Sequence, residues 1–373
     1  MHRFAALAVL LALALLTLGG CDAEGDRTPT STASPSTTLA VPDEAEVTPA
    51  APATPDATPP AVQLTEVTFV EGGPRTAELL LAVILMGTDA PPQRLDRAVI
   101  AEEEVTIIES LPQSVAGEWD YINSWRNIAY PPTSSGGPLV LSMCDGNCGG
   151  LDFASPDART ILIRSDDHGA TWSEPIAILD EPLWVVGSDA SGDRVLLLRQ
   201  FLETDPRLRY YVWPEMTEAT PPSGAAMDRG PVMTPDGRVS WWVGNDLTTA
   251  EGDQVLSLDG IVGPTDVITR PVFHASGDRA VVYWNHHGAV RWTIFESRGD
   301  GAYEVAGTLA FPERSANYPY AWASETVLLA PGSTGIEHQS VIVMVDVEAA
   351  TMSVIDLAGP SPGAYVPVAG TLD

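Results

Sequence analysis

From Leu64 to the C-terminus, short apolar runs alternate with clusters of Gly, Asp, Pro and Ser. No long stretch in this region combines a helical period with capping residues. Residues Glu78 to Met86 fit a helix or a strand equally well. Apolar runs of strand length between turn-forming residues are typical of β-structure. The pattern therefore predicts an all-β domain over residues 64–373.

One turn-and-strand unit recurs within this region. Arg229–Val239 leads into Trp241 and Trp242, and Asp189–Leu198 has the same turn-then-strand form. About forty residues after Arg229, a spacing typical of four-stranded propeller blades, Arg270–Ala280 leads into Tyr283 and Trp284. We therefore expect a β-propeller of six blades, with five or seven as alternatives. A β-sandwich is the competing architecture, but it does not explain the repeat.

The two ends of the domain are predicted to share one blade. Residues 64–110 supply enough strands for a further blade, and Ala364–Leu372 would complete it. A strand contributed by the C-terminus closes the ring and removes exposed sheet edges.

The first 63 residues have a different composition. Residues 21–63 are rich in Thr, Pro and Ala and hold almost no large apolar side chains. Such a segment cannot bury enough surface to offset its ordering entropy, so it predicts a disordered linker. Residues 1–20 combine His2 and Arg3 with an apolar run, which predicts a targeting segment.

The targeting segment closes with Leu18-Gly19-Gly20-Cys21. This ending resembles the lipobox of bacterial lipoproteins. The resemblance implies cleavage before Cys21, lipidation of its thiol and display on the outer face of the cell membrane. A plain transmembrane anchor is the alternative, for which the apolar run is short.

Charge excludes several classes of function. The formal net charge is −31, and all 19 basic residues are arginine. The negative charge argues against nucleic-acid binding. The absence of lysine from the sequence excludes Schiff-base chemistry and a P-loop lysine. We expect no cofactor, no metal and a monomeric protein.

Cys144 and Cys148 are the two cysteines that remain after Cys21. In an exported protein, the pair predicts a disulfide that closes a tight loop. A metal site would need more ligands nearby, and a redox pair usually has two intervening residues rather than three.

The segment Ser165–Trp172 lies between two strand-like runs and predicts a hairpin turn. Ser165 and Asp167 can accept backbone N–H bonds, and Gly169 supplies a positive φ. With Thr171 and Trp172, these residues match the Asp-box, and the segment resembles this repeat of bacterial neuraminidases and related β-propellers. The resemblance implies a structural turn on the rim of a blade.

The likeness to sialidases extends to candidate ligand-binding residues. Ser124–Pro131 resembles the first-blade segment of that family, which implies a carboxylate-binding role for Arg126. Arg229 and Arg270 begin inner strands of the predicted repeat, so the three guanidinium groups could hold one carboxylate. The alternative is that these arginines pair with the many carboxylates of the protein itself.

The resemblance also implies catalytic candidates. Tyr318 falls where the tyrosine nucleophile of the family would lie, and Asp145 or Asp152 falls where its acid/base would lie. No glutamate stands out as a partner for Tyr318. The sequence therefore favours a binding or assembly module for a protein, peptide or glycan over the alternative, a glycoside hydrolase of sialidase type.

Overall fold

The structure is a computed structural model. It describes residues 64–372 except 73, 75, 86–93, 102–103, 112–113, 116–118, 121–136, 146–154, 200–201, 203–206, 313–317, 333–340 and 358–362. The described residues form β-strands, turns and bends. Among them, no helix is long and apolar enough to cross a membrane.

The sheets form the six blades of a β-propeller, as the repeat predicts. Blade 1 contains β28 (Gly363–Leu372), β3 (Thr76–Leu85), β4 (Arg94–Ala101) and β5 (Glu104–Leu111). Blade 2 contains β8 (Leu139–Asp145), β9 (Arg159–Ser165) and β10 (Ala177–Leu179). Blade 3 contains β11 (Leu183–Ser188), β12 (Val195–Arg199), β13 (Arg209–Trp213) and β14 (Thr217–Glu218). Between blades 1 and 2 lies a short pair, β6 (Ser114–Val115) and β7 (Trp119–Asp120).

Blades 4 to 6 follow in chain order. Blade 4 contains β15 (Val232–Met233), β16 (Val239–Val243), β17 (Asp246–Thr249) and β18 (Gln254–Ser257). Blade 5 contains β19 (Val267–Ile268), β20 (Val272–Phe273), β21 (Arg279–His286), β22 (Ala289–Ser297) and β23 (Tyr303–Ala310). Blade 6 contains β24 (Ala321–Trp322), β25 (Val327–Gly332), β26 (Val341–Asp346) and β27 (Thr351–Asp356).

The C-terminal strand closes the ring. β28 pairs antiparallel with β3 over nearly its whole length, so Thr371 lies opposite Glu78 and Ala364 opposite Ile84. This confirms the predicted strand sharing. It also resolves the ambiguity of Glu78 to Met86, because residues 76–85 form a strand.

A second closure was not predicted from the sequence. Before entering blade 1, the chain runs along the outer edges of two other blades as β1 (Leu64–Glu66) and β2 (Thr68–Phe69). β1 pairs parallel with β23 and β2 pairs parallel with β27. Val67, between them, is 6% exposed and packs into the core between blades 5 and 6. This N-terminal strap ties the two blades together.

The hydrophobic cores lie between neighbouring blades. Buried clusters join blades 2 and 3, 3 and 4, 4 and 5, 5 and 6, and 6 and 1. Large aromatic side chains fill the three cores between blades 3 and 6, where four tryptophans are fully buried: Trp241, Trp242, Trp292 and Trp322. This is the blade-core role expected for tryptophans at strand positions.

Up-and-down blades place their turns at two opposite ends. The hairpins that join first to second and third to fourth strands lie at one end, which we call the tight-turn end. The 189–194, 234–238 and 274–278 turns lie there. The first two are in contact, because the Ala190 amide donates to the Pro235 carbonyl at 3.0 Å. The connections between blades lie at the opposite end.

Four arginines at the tight-turn end each bind the next blade. Arg164 Nη1 lies 3.1 Å from Asp193 Oδ1, and Arg194 Nη1 donates to the Gly237 carbonyl at 2.6 Å. Arg238 Nη2 donates to the Gly301 carbonyl at 2.6 Å. Arg279 binds the Glu325 carbonyl at 3.1 Å and the Glu348 carboxylate. We call these four residues the arginine staples.

The Ser165–Trp172 segment forms a turn with the contacts that its residue types allow. Gly169, at φ 83°, donates its amide to Ser165 Oγ at 2.8 Å. Asp167 accepts from the Thr171 amide at 2.7 Å, the Thr171 hydroxyl at 2.6 Å and the Ser165 hydroxyl at 2.8 Å. Burial alone would raise the pKa of Asp167, but the bonds from Thr171 outweigh it and lower that pKa.

Candidate functional site

The innermost strand of blade 5 is interrupted at Arg270. Ile268 pairs with Trp284, and Val272 pairs with Val281. Three residues therefore lie between the two pairs on this strand, but only two lie between them on the partner strand. The extra residue is a β-bulge, which re-aims side chains and is frequent beside functional sites. The innermost strands of a propeller surround its central axis. The bulge therefore places Arg270 on the axial side of the ring.

Blade 4 carries a larger insertion at the corresponding place. Ala226 donates its amide to the Trp242 carbonyl, and Val232 pairs with Ser240. The five residues between Ala226 and Val232 thus leave the strand as a turn, which we call the 227–231 loop. The Gly230 amide donates to the Met227 carbonyl at 3.3 Å within it.

Arg270 contacts the 227–231 loop of the neighbouring blade. Its Nε donates to the Arg229 carbonyl at 3.0 Å. Gly230 has φ +62°, and a methyl group placed on it would lie 2.5 Å from Arg270 Nη2 and 3.2 Å from Tyr210 Oη. Glycine is therefore favoured here by its backbone conformation, and any larger residue would displace the guanidinium from its present position. The guanidinium and the phenol hydroxyl converge above one glycine.

The electrostatic surroundings of Arg270 are unusual for a protein with a charge of −31. The residue is exposed to solvent, and the partial desolvation of its guanidinium by nearby protein lowers its pKa, with Tyr210 partly opposing this. Among the described residues no carboxylate pairs with Arg270, and only Nε has a hydrogen-bond acceptor. Burial raises the pKa of Tyr210 and keeps its hydroxyl protonated. Both side chains thus present donors to an incoming anion.

Arg229 points elsewhere. Its Nη1 donates to the Gly244 carbonyl at 3.2 Å, and its guanidinium carbon lies 5.9 Å from the ring centre of Trp242. Arg229 precedes the strand residue Val232 by three positions, whereas Arg270 precedes Val272 by two. Arg229 thus lies within the 227–231 loop, whereas Arg270 lies at the bulge beside its strand. The structure thus brings the side chain of Arg270 to the backbone, not the guanidinium, of Arg229.

Tyr318 lies before β24, in the connection from blade 5 to blade 6. It is 40% exposed, and its ring centre lies 4.3 Å from that of Tyr283. Burial of its hydroxyl region raises the pKa, and the neighbouring Tyr283 adds to the shift. No described carboxylate binds Tyr318, so none is placed to activate it as a nucleophile.

An aspartate–histidine pair fixes the connection that carries Arg270. Asp266, with a side chain only 2% exposed, lies 2.8 Å from His286 Nδ1 and also accepts from the Gly263 amide at 2.8 Å. Burial alone would raise the pKa of Asp266, but these bonds lower it. His286 and His287 occupy the β21–β22 hairpin. Among the residues with assigned positions, no group of three or more His, Cys, Asp or Glu is arranged to hold a metal ion.

Several predicted residues lie outside the described part of the chain. They are Cys21, Arg126, Cys148 and Asp152. The lipidation, the disulfide with Cys144 and the roles of Arg126 and Asp152 therefore stay predictions. Asp145 is the last residue of β8.

Tyr210 and Gly230 were not among the residues predicted for the site. Gly230 carries a signal in retrospect, because a glycine between Arg229 and Pro231 indicates a turn with positive φ. Tyr210 carries none, because it comes from β13 of a different blade and meets Arg270 only through the closed ring.

No protein-family model matches the chain, and no curated protein matches it. Among solved structures, a periplasmic gluconolactonase of Pseudomonas aeruginosa is 13% identical, with a TM-score of 0.38 over 75% of this chain and 82% of that one. An oligogalacturonate lyase from Vibrio parahaemolyticus is 11% identical, with a TM-score of 0.35 over 74% and 85%. A Lactobacillus plantarum protein is 9% identical, with a TM-score of 0.37 over 79% and 98%.

Proposed function

We propose that the protein is a lipid-anchored, extracytoplasmic binding module whose propeller holds a carboxylate-bearing ligand at Arg270. The lipobox-like ending at Cys21 supports the anchor, and the linker of residues 21–63 supports display away from the outer face of the cell membrane. The ligand is a protein, a peptide or a glycan. The observation that supports the site is an exposed guanidinium that has no carboxylate partner among the described residues and lies with the Tyr210 hydroxyl beside Gly230.

Desolvating a cation costs free energy unless an opposite charge compensates. The protein has 50 acidic residues, and the four arginine staples use carboxylates and carbonyls of neighbouring blades. Arg270 retains two η nitrogens for bonds to an external group. A planar guanidinium binds a carboxylate through two parallel charge-assisted bonds, which makes a carboxylate the expected occupant.

Tyr210 adds a second donor to the same point. Its raised pKa keeps the hydroxyl neutral across the physiological range, so it donates a hydrogen bond rather than repelling an anion. Its ring is 4% exposed and packs edge-on against Trp241, with ring centres 5.4 Å apart. This packing fixes the hydroxyl and lowers the ordering cost of binding.

The second candidate is a glycoside hydrolase of sialidase type. The exposed Tyr318, in the connection from blade 5 to blade 6, favours this hydrolase candidate. Its raised pKa opposes formation of the phenolate, and a nucleophile of this kind needs an adjacent base. Arg229 spends its guanidinium on Gly244 and Trp242. We therefore favour binding over hydrolysis.

The test is equilibrium binding to the purified full chain. The probes are a sialic acid, a galacturonic acid oligomer and a pool of short peptides with free C-termini, detected by calorimetry and by intrinsic tryptophan fluorescence. We expect Arg270→Ala to weaken binding of the active probe about 10- to 100-fold, the loss of one bidentate charged contact. Arg298→Ala, at an exposed hairpin of the tight-turn end, is the matched control and should bind normally.

Equal affinity of Arg270→Ala and the unsubstituted protein would refute the proposed site. The hydrolase alternative is tested separately with a fluorogenic sialoside. Turnover that is abolished in Tyr318→Phe would establish hydrolysis, whereas no turnover is expected.

A further inference from the structure

Three large apolar side chains on the segments that flank or contact Arg270 remain exposed. Met227 is 47% exposed, Val267 58% and Tyr318 40%. They come from three successive blades: the 227–231 loop of blade 4, β19 of blade 5 and the segment before β24 of blade 6. We call these three residues the apolar rim.

Each member of the apolar rim is tied to Arg270 through a short chain of contacts. Met227 belongs to the loop whose Gly230 packs against the guanidinium. Val267 lies three residues before Arg270 in the same interrupted strand. Tyr318 stacks on Tyr283, whose carbonyl accepts the amide of Thr269, the residue before Arg270. The apolar rim therefore belongs to the segments that hold the guanidinium in place, and we take the four side chains as one candidate docking surface.

The chemistry of this surface discriminates between ligand classes. A thioether and a branched aliphatic side chain suit apolar side chains of a polypeptide. A sugar ring laid against them would lose hydrogen bonds from its hydroxyl groups to water without replacement. The apolar rim thus favours a peptide over a glycan.

Net charge narrows the choice again. A protein with a charge of −31 repels partners that carry many carboxylates. One guanidinium can compensate one carboxylate. A polypeptide C-terminus offers a single carboxylate next to a side chain of any type, and its capture by protein donors is a known mode of recognition.

On the basis of the proposed function, we infer that the ligand is the free C-terminus of a polypeptide that ends in apolar residues. The terminal carboxylate binds Arg270 and Tyr210, and the last apolar side chains lie on Met227 and Val267.

The test compares two peptide pools on the purified full chain. Both are fluorescein-labelled hexapeptides with the last three positions randomised over Ala, Leu, Val and Phe, and they differ only in a C-terminal carboxylate or amide. We expect fluorescence anisotropy to show at least about tenfold tighter binding of the carboxylate pool, because the amide cannot make the charged contact with Arg270. Arg270→Ala should remove the preference between the pools.

The double variant Met227→Ser/Val267→Ser should weaken both pools and keep the carboxylate preference. Its melting temperature, compared with that of the unsubstituted protein, checks that the fold is retained. Equal binding of carboxylate and amide pools would overturn the inference. If the sialic or galacturonic acid probe binds through Arg270 and the peptides do not, the inference fails while the proposed function stands. If no carboxylate probe binds, both fail.

Discussion

The arginine staples and Arg270 are the same type of residue in two different roles. At the tight-turn end, Arg194, Arg238 and Arg279 each donate to a carbonyl or carboxylate of the next blade. On the axial side, Arg270 uses one nitrogen to hold the Arg229 carbonyl and is desolvated without a carboxylate partner among the described residues. The comparison indicates that the staples serve the stability of the ring, whereas Arg270 is held in place for a ligand.

The largest loss of stability is expected from removing a staple. Arg279→Ala deletes the bonds to Glu325 and Glu348, which join blade 5 to blade 6 at the tight-turn end. Because one bond reaches a backbone carbonyl and the other is charge-assisted, we expect a loss of about 2 kcal/mol in the free energy of unfolding. Urea unfolding measures it, with Arg298→Ala as the control that should change little. A loss below about 0.5 kcal/mol would contradict the claim that the arginine staples stabilise the ring.

The Ser165–Trp172 turn gives a pH-dependent prediction. Asp167→Ala removes three hydrogen bonds to Ser165 and Thr171, so we expect a loss of about 1–2 kcal/mol at neutral pH. The pKa of Asp167 is lowered from 3.8, so its contribution is full above that value and disappears as pH falls through the folded-state pKa. The difference between Asp167→Ala and the unsubstituted protein should therefore shrink at acid pH.

Asp259→Ala is the matched control for this change, because Asp259 is an exposed aspartate in another turn. Its stability difference should stay near zero at all pH values. A deficit of Asp167→Ala that is constant with pH would contradict the assigned bonds.

Much of the architecture was predictable, because it depends on local chemistry. Glycine, aspartate and serine mark the turns, and apolar runs mark the strands of the six-bladed ring. The closing strand was predictable because a propeller needs its ring sealed. The N-terminal strap was not, since β1 and β2 pair with strands more than 230 residues away and carry no sequence signal of their partners.

The candidate site was predictable only in part. Arg270 was singled out, but its likeness to Arg229 was overestimated. The turn after Arg270 contains one residue more than the turn after Arg229, and this extra residue hides the shift in strand register. Tyr210 joins the site through packing between blades, which no local pattern encodes.

A smaller effect should follow from filling the space above Gly230. Gly230→Ala forces Arg270 away, so we expect roughly tenfold weaker carboxylate binding, about 1.4 kcal/mol. Gly288→Ala is the matched control, since Gly288 also has positive φ (+92°) but meets nothing within 4 Å. Both should lose similar stability from backbone strain, about 1 kcal/mol, and only Gly230→Ala should lose binding. Equal binding losses would show that strain, not Arg270, controls the site.

The smallest expected change is the stability of Arg270→Ala. Arg270→Ala removes an exposed side chain and one hydrogen bond to a carbonyl, so we expect a net change within about 0.5 kcal/mol. Urea unfolding alongside Arg279→Ala gives the comparison directly. A loss as large as that of Arg279→Ala would make Arg270 another structural staple.

The most direct measurement pairs binding with stability in two variants, Arg238→Ala and Arg270→Ala. The account predicts that Arg238→Ala unfolds at lower urea and binds the carboxylate peptide pool normally. It predicts that Arg270→Ala unfolds as the unsubstituted protein does and loses at least about tenfold in affinity. If both variants lose stability and neither loses affinity, the division between stapling arginines and a ligand-binding arginine is wrong.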